Sequence, residues 1–124
     1  MNCKCAFIVY TSSLGDTELD NFIDSIGIEP GMTEERLYYG LSKRRVDDDF
    51  KLSIFVYESL SNIINKGELL KDLKNKYNLF YELNIKFSYD EDEIINVDIF
   101  NLNEEIEEFI KMTDTYYNLM TVEN

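Results

Sequence analysis

The acidic side chains of residues 90–112 are the ones whose types and spacing could do chemistry in this sequence. The stretch DEDEIINVDIFNLNEEIEEFIKM holds nine carboxylates and one lysine. Such a set could serve acid–base catalysis by paired carboxylates, coordination of a hard cation, or docking of a basic partner. The fourth explanation is a solvated surface that keeps the chain soluble.

Catalysis and metal binding are the weaker explanations. With twenty-five acidic residues in the chain, carboxylate pairs at the glycosidase spacing of about 5 to 9.5 Å arise by chance. Calcium has oxygen donors in Asp90, Asp92 and Asp98 and in residues 47–49, but neither segment has the glycine and the bidentate glutamate of an EF-hand loop. We therefore expect no metal site.

The absence of histidine narrows the chemistry further. It removes the commonest general base, the Ser-His and Cys-His nucleophile pairs and the commonest metal ligand. Cys3 and Cys5 fall on one face of a predicted strand and are poorly placed to bond each other. Phosphate-binding and dinucleotide-binding loops are missing from the sequence. We expect no enzyme activity and no cofactor, and the free thiols indicate a cytoplasmic protein.

The negative charge is concentrated at one end of the chain. The whole chain has a net charge of −13, and residues 87–124 contain eleven acids against the single base Lys111. Nucleic acid and anionic membranes are therefore disfavoured, since phosphates require clustered Lys and Arg. No apolar stretch is long enough to span a membrane, and no secretory signal pattern is found. A basic protein is the natural complement.

The elements that must position these residues follow from hydrophobic periodicity. Residues 3–11 predict a central strand. Leu19, Phe22, Ile23 and Ile26 predict one face of a helix, which Asp16 or Thr17 caps and Gly27 ends. Residues 29–49 look irregular. Residues 50–57 predict a second strand, and residues 59–77 one kinked helix or two short ones around Gly67.

The acidic third of the chain has a clear alternation. Residues 81–89 alternate apolar and polar side chains, and Ile95, Val97 and Ile99 repeat this, which predicts a β-hairpin with DEDE as its connection. Asn103 can cap a helix over residues 104–112, whose buried stripe is Ile106, Phe109 and Ile110. Residues 116–122 predict a last strand.

The order β-α-β-α-β-β-α-β predicts a single α+β domain over residues 1–124. A mixed, mostly antiparallel sheet of about five strands would carry two to four helices on one face.

Several segments of the chain resemble a known family. The segments AFIVYTSSLGDTELDNFIDSIGIEPGMT, LYYGLSKRR, KLSIFVY and YELNIKFSY, with the acidic helix and the terminal strand, resemble the DUF4279 family of small bacterial and phage proteins. The tryptophan often found near the second strand of that family is absent, and Phe50 or Phe55 takes its place. The resemblance implies no catalytic residues, and it allows a toxin–immunity or phage–defence setting.

Two hypotheses of different classes follow. In the first, the chain is an immunity or anti-defence inhibitor that occludes a basic surface, such as a nuclease channel, with exposed tyrosines as further contacts (Tyr38, Tyr39 and Tyr116). The partner-binding residues are then the acids of the turn and the helix, namely Asp90, Glu91, Asp92, Glu93, Glu104, Glu105, Glu107 and Glu108.

In the second hypothesis the acidity is incidental and the chain is a small-ligand-binding or regulatory domain. The irregular segment would then border an anion-binding pocket. The ligand-binding residues would be Arg36, Tyr38, Tyr39, Lys43, Arg44 and Arg45.

Overall fold

A five-stranded sheet organises the chain in the computed structural model, which describes residues 1–93 and 101–124. Its strands are β1 (Asn2–Tyr10), β2 (Gly31–Thr33), β3 (Arg36–Arg45), β4 (Phe80–Tyr89) and β5 (Tyr116–Glu123). They lie in the order β2-β3-β1-β4-β5, and every neighbouring pair is antiparallel except β4 and β5. The chain therefore has a mixed sheet with β1 at its centre.

Four helices accompany the sheet in the described residues: α1 (Asp16–Ile26), α2 (Leu52–Ser59), α3 (Gly67–Tyr77) and α4 (Glu104–Thr113). The predicted α+β fold is confirmed. The predicted order is also confirmed, with β2 and β3 together in the place of the second strand and α2 and α3 together in the place of the second helical segment. The second hairpin strand, predicted on Ile95, Val97 and Ile99, lies outside the described residues.

One face of the sheet packs against the helices, and no helix of the described residues covers the other face, on which Ala6 and Ile8 are nevertheless buried. Successive side chains of a strand point to opposite faces. The odd-numbered residues of β1 from Cys3 to Val9 are buried with the apolar side chains of the helices, which defines the core face. The even-numbered residues, such as Lys4 and Tyr10, lie on the opposite side, which we call the open face.

Aromatic contacts join α3 and α4 to the core face. The ring of Phe7 lies 5.2 Å from that of Tyr81 and 5.6 Å from that of Phe109 in α4 (centroid distances). The Tyr81 hydroxyl donates a 2.6 Å hydrogen bond to the Leu70 carbonyl oxygen in α3. Helix α4 is thus held by its Phe109 side, and its opposite side faces outward.

The strand predicted for residues 50–57 is wrong, because this segment forms α2. Its buried residues Leu52, Phe55, Val56 and Ser59 have the spacing of a helix face. A short apolar run fits a strand or a buried helix equally well. Both neighbours of the central strand are already supplied by β3 and β4, so this segment packs as a helix instead.

The irregular structure predicted for residues 29–49 is also wrong, because these residues form β2 and the long strand β3. Only Leu37 and Tyr39 of β3 are buried, so the strand has a polar sequence that hides its alternation. The register with β1 shifts beside Gly40, whose φ is +61°. A Cβ there would lie 2.4 Å from the Ser59 carbonyl oxygen, so only glycine fits this bulge.

The ends of the helices differ from prediction in one case. Helix α1 is capped by Gly15, whose backbone N–H donates to the Glu18 carboxylate, and not by Asp16 or Thr17. Gly27 ends α1 in the left-handed conformation as predicted. Ser59 ends α2, and residues 60–77 form a turn, a 3₁₀ turn (Ile64–Lys66) and α3. Gly67 begins α3, and no kink arises there.

Candidate functional site: the acidic groove beside α4

Helix α4 presents its carboxylates because both of its ends are fixed. The Asn103 side chain accepts a 2.9 Å hydrogen bond from the Ile106 N–H, which is the predicted N-cap. At the other end, Lys74 of α3 donates to the carbonyl oxygens of Thr113 and Asp114. Ile106 and Phe109 are buried, while Ile110 is half-buried. The rotation of the helix is therefore set by its apolar stripe.

The opposite side of α4 carries four exposed acids, which we call the α4 carboxylates: Glu104, Glu105, Glu107 and Glu108. Within residues 1–93 and 101–124, ion pairs shorter than 4 Å join only the N-terminus to Glu93 and Lys74 to Asp114. No described cation therefore neutralises the α4 carboxylates at that distance. They gather negative charge on one outward side of the helical layer.

A groove of about 550 Å³ runs between α4 and the start of α3. Glu105 and Glu108 line it from α4, and Glu68 lines it from α3. Between these acids lie the apolar side chains of Ile64, Phe109 and Met112. We call this the acidic groove, since three carboxylates surround an apolar lining.

The groove depends on a close contact at Gly67. A Cβ at this position would lie 2.8 Å from the Met112 sulfur, so the absence of a side chain lets Met112 pack against the start of α3. Met112 is nonetheless 44 % exposed and remains accessible from the groove. The neighbouring Glu105 carboxylate raises the pKa of Tyr57 through hydrogen bonding and its negative charge.

Unlike the α4 carboxylates, two of the predicted partner-binding acids of the DEDE turn (residues 90–93) have bonding partners within the chain. The N-terminal ammonium donates to the Glu93 carboxylate at 2.5 Å, which lowers the pKa of Glu93. The Asp90 carboxylate accepts from the Asn124 side-chain amide at 3.1 Å. Glu91 and Asp92 are exposed. Two of the four acids of this turn, Asp90 and Glu93, are thus already bonded to Asn124 and Met1.

The alternative ligand-binding residues do not form one pocket. Arg36 and Tyr38 lie at one end of β3, and residues 43–45 lie at the other. Tyr39 is 3 % exposed and packs in the core, which excludes it as a surface contact. By register, Arg36, Tyr38, Lys43 and Arg45 share the open face. Of the other tyrosines considered as contacts, Tyr116 is 56 % exposed.

The remaining polar chemistry of the described residues is limited. Burial, with the neighbouring Cys5 thiol, raises the pKa of Cys3 to about 12, and burial raises that of Cys5 to about 12, so both thiols are mainly protonated at neutral pH. In residues 1–93 and 101–124, no three Cys, Asp or Glu side chains are grouped to hold a metal ion. Among those same residues, no helix is long and apolar enough to cross a membrane.

Three groove residues are not predicted from the sequence: Tyr57, Glu68 and Met112. Tyr57 falls in the segment assigned to a strand, and Glu68 lies among lysines far along the chain from α4. Tyr57 of α2, Glu68 of α3 and Met112 of α4 meet only in the tertiary structure, so no local pattern reveals them.

Comparisons with known proteins identify no relative of this chain. A scan against protein-family models, a search of curated proteins and a search of solved structures each find no match.

Proposed function

We propose that this chain is a non-catalytic protein-binding domain that docks on a basic partner through the α4 carboxylates and the acidic groove. The observation that carries the proposal is that all four α4 carboxylates are exposed and, in the described part of the chain, have no ion-pair partner within 4 Å. The fold accounts for their outward direction, and Lys111, which lines the same surface as Glu104, Glu107 and Glu108, forms no ion pair with them within 4 Å.

The arrangement costs the free protein some stability. Like charges at i,i+3 and i,i+4, such as Glu104 with Glu107 and Glu108, each destabilise a helix by about 0.2 to 0.5 kcal/mol. The helix dipole offsets this for the acids of the first turn, but Glu108 lies beyond that turn. A basic partner would turn this repulsion into attraction.

The groove suits a lysine or arginine side chain of the partner. The aliphatic stem of such a residue would pack on Phe109 and Met112, while its charged head would reach Glu105 or Glu108. Carboxylates around an apolar contact combine fast, charge-steered association with a desolvated anchor. This supports an inhibitor that covers a basic functional surface, as an immunity or anti-defence protein does for a toxin or a nuclease.

The test is a pull-down from bacterial lysate with two variants of equal charge. One replaces the four α4 carboxylates by glutamine. The control replaces four other exposed acids by asparagine: Asp20, Asp24, Asp48 and Asp72. Both variants change the net charge from −13 to −9. We expect the wild type and the control to retain one basic protein, released at high salt, and the α4 variant to lose it. No basic protein, or equal retention by both variants, contradicts the proposal.

A small-ligand-binding or regulatory domain is the second candidate. It is favoured by one observation, the gathering of Arg36, Tyr38, Lys43 and Arg45 on the open face. A thermal-shift screen with anionic metabolites tests it. A reproducible rise in Tm that is lost in Arg36→Ala supports this candidate, and a flat panel counts against it.

A further inference from the structure

The open face gathers basic residues that the chain keeps far apart. Lys4 lies directly opposite Lys43 on one side and Lys86 on the other, so three lysines form one row across β3, β1 and β4. Arg36 and Arg45 share this face by the same register. Five of the twelve basic residues of the chain therefore stand on one side of the sheet of an acidic protein.

The lysine row is unfavourable for the free protein. Adjacent strands lie about 4.8 Å apart, and like charges directly opposite each other destabilise a sheet. No described carboxylate lies within 4 Å of these three ammonium groups. The row is thus ready for an anionic ligand.

The other end of the open face carries exposed aromatic rings. The Arg36 guanidinium lies 5.0 Å from the centre of the Tyr10 ring. The Tyr10 ring is 5.4 Å from Phe80, and Phe80 is 6.3 Å from Tyr116 (centroid distances). Phe80 and Tyr116 are 48 % and 56 % exposed. We call Tyr10, Phe80 and Tyr116 the aromatic row.

Within the described strands, Glu82 is the one acidic residue on the open face, and both of its carboxylate oxygens accept hydrogen bonds. Glu82 is only 7 % exposed and accepts hydrogen bonds from the Tyr10 hydroxyl at 2.6 Å and from the side-chain amides of Asn84 and Asn118 at 2.9 and 3.1 Å. The bond from Tyr10 fixes the first ring of the aromatic row. The three donors also shield the carboxylate from an anion bound above it.

We propose that the open face binds a single-stranded oligonucleotide of about four nucleotides that runs along β1, with bases at one end stacked on the aromatic row and phosphates at the other end contacting the lysine row. The strand rise of β1 places Tyr10 about 20 Å from Lys4. Exposed rings stack on any base, and lysines contact phosphates without regard to sequence. The site is independent of the α4 carboxylates, which lie on the helical side of the sheet.

The lysine row qualifies an expectation from the sequence. The acidic composition predicts no nucleic-acid partner because the chain has twenty-five acids against twelve bases. The register of the sheet creates a further cluster that the linear sequence does not show.

The test is fluorescence anisotropy with labelled single-stranded DNA and RNA octamers. We expect binding at low salt, with a slope of log K against log salt of about −2 for three phosphate contacts. Replacing Lys4, Lys43 and Lys86 by glutamine should weaken binding at least tenfold and flatten the slope. The charge-matched control replaces three exposed lysines outside the sheet (Lys51, Lys71 and Lys76), and it should bind like the wild type.

A second variant separates stacking from charge. Phe80→Ala with Tyr116→Ala should weaken binding about ten- to a hundredfold and leave the salt slope unchanged. Circular dichroism confirms that each variant is folded. Absence of binding at low salt, equal loss in the lysine control, or equally tight binding of polyglutamate overturns the proposal. So does self-association in sedimentation that depends on Lys4, Lys43 and Lys86, since the occupant is then a second copy of the chain.

Discussion

The α4 carboxylates and Glu82 hold negative charge in opposite ways. Glu82 is nearly buried on the open face, and three side-chain donors satisfy it. The α4 carboxylates are exposed and lack ion pairs within the described residues. The difference indicates that Glu82 stabilises the folded protein, whereas the α4 carboxylates contribute little to its stability. Acids that stability does not require are the better candidates for a partner site.

The largest loss of stability is expected at Phe109, which packs α4 against the sheet. Phe109 places the α4 carboxylates outward and contacts Phe7 of the central strand. Phe109→Ala should lower the free energy of unfolding by about 3 to 5 kcal/mol, because it leaves a cavity. Chemical denaturation measures this. Phe109→Leu should lose clearly less, and an equal loss would contradict the packing role.

The second largest loss of stability is expected when the hydrogen-bonded carboxylate of Glu82 is replaced. Glu82→Gln replaces an oxygen that accepts hydrogen bonds by an amide that donates, so we expect a loss of about 1 to 3 kcal/mol at pH 7. Asn84→Ala removes one of the three donors and should lower the stability by less. Chemical denaturation of both variants tests whether Glu82→Gln has the larger loss. A Glu82→Gln protein as stable as the wild type would remove the distinction between the two regions.

The same residue predicts a dependence on pH. Burial raises the pKa of Glu82, but the hydrogen bonds from Tyr10, Asn84 and Asn118 outweigh it and hold the pKa below the ordinary value of 4.5. The unfolded state then protonates first as pH falls. The stabilisation is present above pH 4.5 and is lost as pH falls through the lowered pKa. The gap between wild type and Glu82→Gln should therefore narrow below that pH, and a gap that widens would contradict this.

A third substitution changes the shape of the acidic groove without altering its charge. Gly67→Ala introduces a Cβ that must displace the flexible end of Met112, and the helical backbone at this position accepts alanine. We expect a change in stability of at most about 1 kcal/mol, with several-fold weaker capture of the basic partner. Thermal unfolding and pull-down test the two parts. Unchanged capture would show that the partner contacts the carboxylates alone.

The smallest effect concerns the exposed acids themselves. Glu108→Gln removes like-charge contacts with Glu104 and Glu105 and one attraction to Lys111, so stability should rise by at most about 0.2 to 0.5 kcal/mol at low salt and by less at high salt. Denaturation at two salt concentrations measures it. A clear loss of stability would mean that the fold needs this carboxylate.

The sequence predicts the regular parts of this fold and misses the polar ones. β4 and α4 are predicted well, because alternation and helical spacing are strong over ten residues. β3 is missed, because only Leu37 and Tyr39 are buried and the rest has the composition of a charged loop. The α4 carboxylates are found from their density, but the groove and the lysine row are not. Both depend on which segments lie side by side, and that information is in the tertiary pairing.

The most direct test of the α4 site is an NMR titration with a hexalysine peptide at about 25 mM salt, where charge is weakly screened. If the acidic groove concentrates the negative potential, amide shifts should cluster in α4 and in residues 64–68. The variant with all four α4 carboxylates replaced should lose these shifts. Shifts spread evenly over α1, the DEDE turn and α4, or retained in that variant, would contradict the account.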